Sequence, residues 1–344
     1  GILSDAKTVK VQSGEDEEVM VSITDNQLDI YKESVNYLTG YKYLCNEQLA
    51  SKLIGLLAYQ QYMQSKGEKV KVDKAIRPII HRLTNHQNKH QLWSWWGNSE
   101  NTSFWMSAHI LRALKMAQDA GYPVELNLNG LKVEYAHTRP YRGMKLEDIE
   151  ILHALHEWKV EADYSSAVRL LEPFVRQLEQ KEDSLANRNK YYRPLSYLKE
   201  KLLLWEIKQQ VDSVNVGDSV RPYLKKDMLE GVYCDDGRRT YYWEGNQMIN
   251  TLIAYRIIKN DPSLCKLKEN MQLYILRTKE RGWNTYQASS AVATVLTDLL
   301  AGSGGMSGTS VSVSGKDHQR ITEFPYHARL TASDSLLISK TGKE

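Results

Sequence analysis

The chain has 344 residues, 42% hydrophobic and 25% charged, with a formal net charge of +3. This is ordinary globular composition, enough to bury a large core, and the small positive balance excludes the strongly basic surface that nucleic acid or an anionic membrane selects. Three cysteines, Cys45, Cys234 and Cys265, cannot all pair, so no disulfide framework is implied, and Tyr 21 and Trp 8 against Phe 3 favour half-buried walls where one ring edge meets water.

Residues 1–24 read as strand: Thr8-Val9-Lys10-Val11 and Glu18 to Ile23 alternate β-branched residues around a turn at Ser13-Gly14-Glu15-Asp16. From about residue 27 the period becomes helical. Apolar stripes recur at Leu49, Leu53, Leu56 and Leu57, at Ile76, Ile79, Ile80 and Leu83, and then at Ile110, Leu111 and Leu114. They continue through Ile149, Leu152 and Leu155 to Ala288, Val292, Val295 and Leu299, so the reading from 27 to 301 is all-helical. A loose repeat runs through it. Trp96-Gly97-Asn98, Trp243-Glu244-Gly245-Asn246 and Gly282-Trp283-Asn284-Thr285 each lead into a helix, with Asn or Thr as cap. Repeated loop-plus-helix units fit a stacked α/α array.

The pattern stops at Ala301-Gly302-Ser303-Gly304-Gly305, a linker by composition, and Ser310–Val313 and Leu336–Ser339 read as strands again. A tail this short needs partner strands from residues 1–24 or from sequence outside the chain. No signal peptide, lipidation motif or membrane-length apolar run is present.

The run Tyr41-Lys42-Tyr43-Leu44-Cys45-Asn46-Glu47-Gln48-Leu49 carries the chemistry. Asn46 is the expected N-cap, Glu47 suits the positive first turn, and Cys45 stands just outside the helix, where a thiol's pKa is expected to fall below about 8.5. Gln48 lies three residues on, at a spacing that brings Cβ atoms to about 5–6 Å on one helix face. A thiolate there would attack the carboxamide carbon, release ammonia and leave an internal thioester. Such a bond needs shelter from water, and Tyr41, Tyr43, Trp93, Trp95 and Trp96 are the expected wall, with Glu47 lining the pocket. The alternative is a buried structural cysteine beside a polar helix start.

The Cys45-Asn46-Glu47-Gln48 run and its flanks resemble the thioester motif of bacterial α2-macroglobulins, a Tyr-Pro-x-Gly-Cys-x-Glu-Gln pattern followed by a small residue, Ser and a basic residue. Trp93-Ser94-Trp95-Trp96 with Ala117 to Tyr122 looks like that family's second helix pair. Trp283-Asn284-Thr285 with Ala288, Ala291 and Ala293 is similar to its closing helix, and Leu337 to Lys343 resembles the strand that follows. Leu44 stands in place of the family's Gly and Lys42 in place of its Pro. The resemblance implies a mainly α fold: an α/α toroid over 27–303, a β-segment of a flanking sandwich over 1–26, and a linker with a β-segment of the following domain over 304–344. It implies a protease trap, reactive once, in which Cys45 is the thiolate and Gln48 the acyl group. The partners so implied are a target protease or another surface nucleophile and the remaining domains of a longer parent, periplasmic or at the cell surface and membrane-anchored. No cofactor, no metal, no nucleic acid and no membrane insertion by this chain is expected.

Other residues offer competing chemistry. In complement-type relatives a later histidine assists acyl transfer, and His153 and His156 stand at a plausible distance downstream; an ordinary helix histidine is the competing reading. His81, His86 and His90 have a ligand-like spacing but read as a polar helix end. Cys234-Asp235-Asp236-Gly237 reads as a turn. A toroid hydrolase would need two carboxylates about 5–9.5 Å apart, from among Glu47, Asp235, Asp236 and Glu244. A toroid that only binds or supports, without a bond, is the remaining alternative.

Overall fold

In the computed structural model two strands, β1 (Thr8–Val11) and β2 (Glu18–Ile23), precede the helices. Then come α1 (Gln27–Gly40), α2 (Asn46–Ser65), α3 (Asp73–Asn85) and α4 (Phe104–Asp119). A broken stretch follows, α5 (Asn129–Leu131) passing through a π-turn at Lys132–Thr138 into α6 (Arg139–Arg142). The chain continues as α7 (Asp148–Glu157), α8 (Tyr164–Arg188), α9 (Leu198–Val211), α10 (Gly217–Val220), β3 (Leu224–Lys226) and β4 (Val232–Cys234). The last helices are α11 (Gln247–Ile258), α12 (Lys268–Thr278), α13 (Thr285–Ala291), a π-turn at Val292–Leu296 and α14 (Thr297–Gly302). Strands β5 (Ser310–Ser314), β6 (His318–Ile321), β7 (Tyr326–Thr331) and β8 (Leu336–Thr341) end the chain. The structure describes residues 8–11, 18–23, 27–42, 44–143, 145–228, 230–240, 246–279, 282–302, 310–314, 318–322, 326–331 and 336–341. These fall into two units, Ser34–Asp298 and the pairing of Gly1–Glu33 with Leu299–Glu344.

Six helices of the larger unit close on themselves: α2 packs on α4, α4 on α7, α7 on α9, α9 on α11, α11 on α13 and α13 back on α2. This closed inner ring, with α3, α8 and α12 outside it against α2, α9 and α11, is an α/α toroid. Burial follows position. On outer α3 only Ile76, Ile79, Ile80 and Leu83 are buried, one stripe at i, i+3, i+4 and i+7. On inner α7 every residue from Asp148 to Leu155 is buried, and on α11 nearly every one. Gly55 sits where a Cβ would stand 2.8 Å from Leu38 Cβ, so its missing side chain sets how closely α2 approaches that turn of α1.

The helical region is not helical throughout. Strands β3 and β4 form an antiparallel hairpin, Leu224 opposite Cys234 and Lys226 opposite Val232, too short for a period-2 signal to emerge from the sequence. In the smaller unit all pairings are antiparallel. One sheet has the order β1-β8-β5-β6 and a second pairs β2 with β7. The amino-terminal strands therefore find partners at the other end of the chain, Thr8 opposite Ser339 and Ile23 opposite Tyr326. Val311, Val313 and Ile321 form its buried core, with Ile23, Tyr326 and Ile338 packed against them. Among the described residues no helix is long and apolar enough to cross a membrane.

Candidate acyl-transfer site

Helix α2 begins one residue earlier than its polar sequence suggests. Cys45, not Asn46, is the N-cap, with extended φ/ψ of −71° and 175°. Its side chain faces the backbone N–H of Gln48, and the Gln48 carboxamide Oε1 accepts the Cys45 backbone N–H at 3.1 Å, a reciprocal capping box with sulfur in the place of oxygen. Helix α13 has the same box with ordinary chemistry: Asn284 accepts from Gln287 N at 2.8 Å and Gln287 Oε1 accepts from Asn284 N at 3.2 Å. Cys45 is only 4% exposed. Burial pushes its thiol up and outweighs the N–H groups of Gln48, Glu47 and Cys45 itself, with the charge of Glu47 adding to the rise. The expected lowering by the helix terminus is thus reversed by desolvation. In this geometry the Gln48 carbonyl is polarised by an N–H donor beside a thiol, which is the local arrangement acyl transfer uses.

A loop crosses the start of α2. Asn46 donates its backbone N–H to Trp95 O at 3.0 Å and its side-chain Nδ2 to Ser94 O at 2.8 Å and Gly97 O at 2.9 Å. Gly97 has φ of +55°, where a side chain would be strained. Asn46 Oδ1 meets His86 Nδ1 at 2.6 Å, so His86 is a strut for this loop. The loop is closed by Asn88, whose Oδ1 accepts from His90 N and Leu92 N while its Nδ2 donates to Ser99 O and Thr102 Oγ1.

Glu47 points inward. Its Oε1 accepts from Ser51 Oγ and its Oε2 from Thr285 Oγ1, each at 2.7 Å. Burial raises its pKa, opposed by those two hydroxyls. Ser51 Oγ also meets His109 Nε2 at 3.0 Å and Ser289 Oγ at 3.0 Å. Because the single Ser51 proton goes to the carboxylate, His109 is assigned as the donor through Nε2–H. Burial, then Arg112, drives the His109 pKa down to about 3 and keeps the ring neutral. This polar pin ties α2, α4 and α13 together. Of its members Glu47 and Thr285 fall in runs that stand out in the sequence; His109 lies inside an apolar stripe and gives no local signal.

The expected aromatic wall divides. Trp93 is core, 0% exposed, and donates Nε1–H to Leu83 O at 2.7 Å. Trp95 and Trp96 are 44% and 64% exposed, with Trp95 edge-on to Trp105 at 5.8 Å. Tyr41 is half-buried, edge-on to Tyr37, and its carbonyl accepts from Lys52 Nζ at 3.1 Å. Tyr43 lies outside the described residues, as do Trp243 and Glu244. His153 is buried and bonded to Glu206, Arg112 and Glu157, and His156 stands edge-on to Tyr164. Asp235 pairs with Lys225, and Asp236 accepts from Ser196 Oγ and Arg238 N, which serves the turn. All three cysteines are free, Cys45 and Cys234 buried and Cys265 exposed. Among the described residues no group of three or more His, Cys, Asp or Glu is placed to hold a metal.

No family model and no curated relative matches this sequence. Its fold is similar to that of Salmonella α2-macroglobulin reacted with methylamine, with a TM-score of 0.58 and 13% identity, covering 98% of this chain and 23% of that one. It is also similar to native Escherichia coli α2-macroglobulin spanning domain MG7 to the C-terminus, with a TM-score of 0.56 and 15% identity over 98% of this chain and 55% of that one. Escherichia coli α2-macroglobulin activated by porcine elastase aligns with a TM-score of 0.51 at 16% identity, covering 98% and 32%. The chain thus spans less than two thirds of each of these structures, and the likeness is one of fold.

Proposed function

We propose that this chain is the thioester module of a bacterial α2-macroglobulin-like protease trap, with Cys45 and Gln48 as the bonded pair. The observation that supports it most is the choice of cysteine at the N-cap of α2. Asn, Asp and Ser are the strong caps, and α13 uses Asn in an otherwise identical box. A cysteine in that position, beside Gln48 and buried, weakens the cap unless its sulfur serves another end.

Bond formation is a balanced exchange. The Sγ–Cδ bond forms, the Gln48 Cδ–Nε2 bond breaks, and the thiol proton leaves with the nitrogen as ammonia. The Cys45 backbone N–H stays on the carbonyl oxygen as negative charge develops there. In the second step an amine forms a bond to Cδ, Cδ–Sγ breaks, and the amine's proton passes to the departing sulfur. In this reading the acceptor is a nucleophile on an attacking protease or a nearby surface, the module reacts once, and the parent works in the periplasm or at the cell surface. His153 and His156 are engaged elsewhere, so no histidine step is assigned. One observation favours a second reading, a toroid of the same fold with no bond: the Cys45–Gln48 box already satisfies the helix terminus as it stands, with Leu44 and Lys42 in place of the motif's Gly and Pro.

Isotope-labelled methylamine decides between them. The expected result is one label on the Gln48 side chain together with a newly titratable Cys45 thiol, both lost in Cys45→Ser. Absence of label from native protein, with Cys45 free throughout, would overturn the thioester reading and leave the second.

A further inference from the structure

The inner ring lines a partly open cavity of about 380 Å³ to which every one of its helices contributes. That volume lies within the roughly 300–1,000 Å³ usual for small-molecule sites, and the acyl chemistry leaves it unused. Its lining combines apolar residues, Ile54, Leu203 and Ile253 among them, with charged ones.

Among the charged lining residues two guanidinium groups are each held along one edge. Arg256 sets Nε and Nη2 on the two Glu206 oxygens, both at 2.8 Å. Arg112 sets Nε on Glu157 Oε2 at 2.7 Å, with Nη2 3.1 Å from His153 Nδ1 and 3.6 Å from Glu150 Oε2. A guanidinium carries five N–H donors in a rigid fork. Among the described residues neither Nη1 takes a hydrogen bond, and neither is sealed from solvent. Both arginines line the cavity. The fixed charges balance, Arg112, Lys199 and Arg256 against Glu150, Glu157 and Glu206, with Lys115 on Asp119. His153 stands among them, between Glu206 at 2.8 Å and Glu157 at 3.3 Å.

We propose that the lumen binds a small aliphatic monocarboxylate, its carboxylate bridging the open Nη1 groups of Arg112 and Arg256 and its chain lying along Ile54, Leu203 and Ile253. Paired guanidinium donors match a planar carboxylate, and the apolar lining residues reward a chain over a bare anion. This site is independent of the Cys45–Gln48 bond. It is tested by calorimetric titration of the whole chain with hexanoate, using hexylamine as the oppositely charged probe. The expected result is saturable hexanoate binding, no hexylamine binding, and affinity reduced at least about tenfold by Arg256→Gln, the loss of one charge-assisted contact. Because that change also strips Glu206 of its partner, Ser290→Trp, which fills the lumen from α13, is the second variant and is expected to abolish binding in protein of unchanged circular dichroism. Absence of saturable hexanoate binding, equal binding of hexylamine, or hexanoate binding untouched by Ser290→Trp would overturn the proposal.

Discussion

At the scale of single residues the environment around Cys45 is set by two opposing terms, the N–H groups of the helix start and the loss of water. Burial wins, so any free Cys45 thiol is protonated and slow to react, whereas Cys265 is exposed. Alkylation of native protein is therefore expected at Cys265 first, with Cys45 and Cys234 labelled only on unfolding; peptide mapping after a short iodoacetamide pulse checks the order. Asn46 carries three contacts to the crossing loop through its side chain. Asn46→Ala leaves those groups unpaired and is expected to cost about 1–3 kcal/mol, read as a lower urea midpoint at unchanged slope. His109 supplies a pH signature. Its folded pKa is about 3 against about 6.5 when unfolded, so the unfolded chain takes up a proton that the folded one refuses. Stability conferred by the neutral ring is whole above about pH 6.5 and falls as pH drops toward 3, with a slope of up to about 1.4 kcal/mol per pH unit. His109→Gln is expected to flatten the pH 5–6.5 part of that profile. The Cys45–Gln48 pair was legible because its spacing is local; His109 was not, because its partners Ser51 and Ser289 lie 58 and 180 residues away.

Among the elements, apolar stripes announce inner helices such as α2, α4 and α7 and outer α3 alike. Helix α3 shows one apolar stripe because one face meets water, whereas α7 and α11 are covered nearly all round, α7 with Asp148 and Glu150 buried among its apolar residues. Sequence periodicity thus finds helices but not which of them form the ring. The loop from His86 to Ser103 has no regular backbone ladder, and its order rests on Asn88 closing it from both sides. Asn88→Ala is expected to speed amide exchange across Leu92–Ser103 while leaving α9 and α11 protected. Equal acceleration in those helices would contradict a local role for this residue.

For the larger unit as a whole, the closed ring places α13 against α2, so that Thr285 and Ser289 reach Glu47 and Ser51 across 238 residues of sequence. The stripes and repeats made an α/α array legible; its closure entered only through the family resemblance, since it depends on contacts between the first and last inner helices. The ring is also braced by ion pairs between neighbouring inner helices, α4 to α7, α7 to α9 and α9 to α11. Glu206→Ala strips Arg256 and His153 of their shared carboxylate. With Arg256 still 22% exposed, a loss of about 3 kcal/mol is expected, the lower end for breaking a buried pair, and Glu206→Gln should lose less. What would join this architecture to a function is the proposed bond between Cys45 and Gln48, and its most direct test is intact mass. Native, unheated protein is expected to be lighter than its sequence by one ammonia, with the deficit removed by methylamine and missing from Cys45→Ser. Full sequence mass in the untreated native protein, with Cys45 recovered as a free thiol, would contradict it.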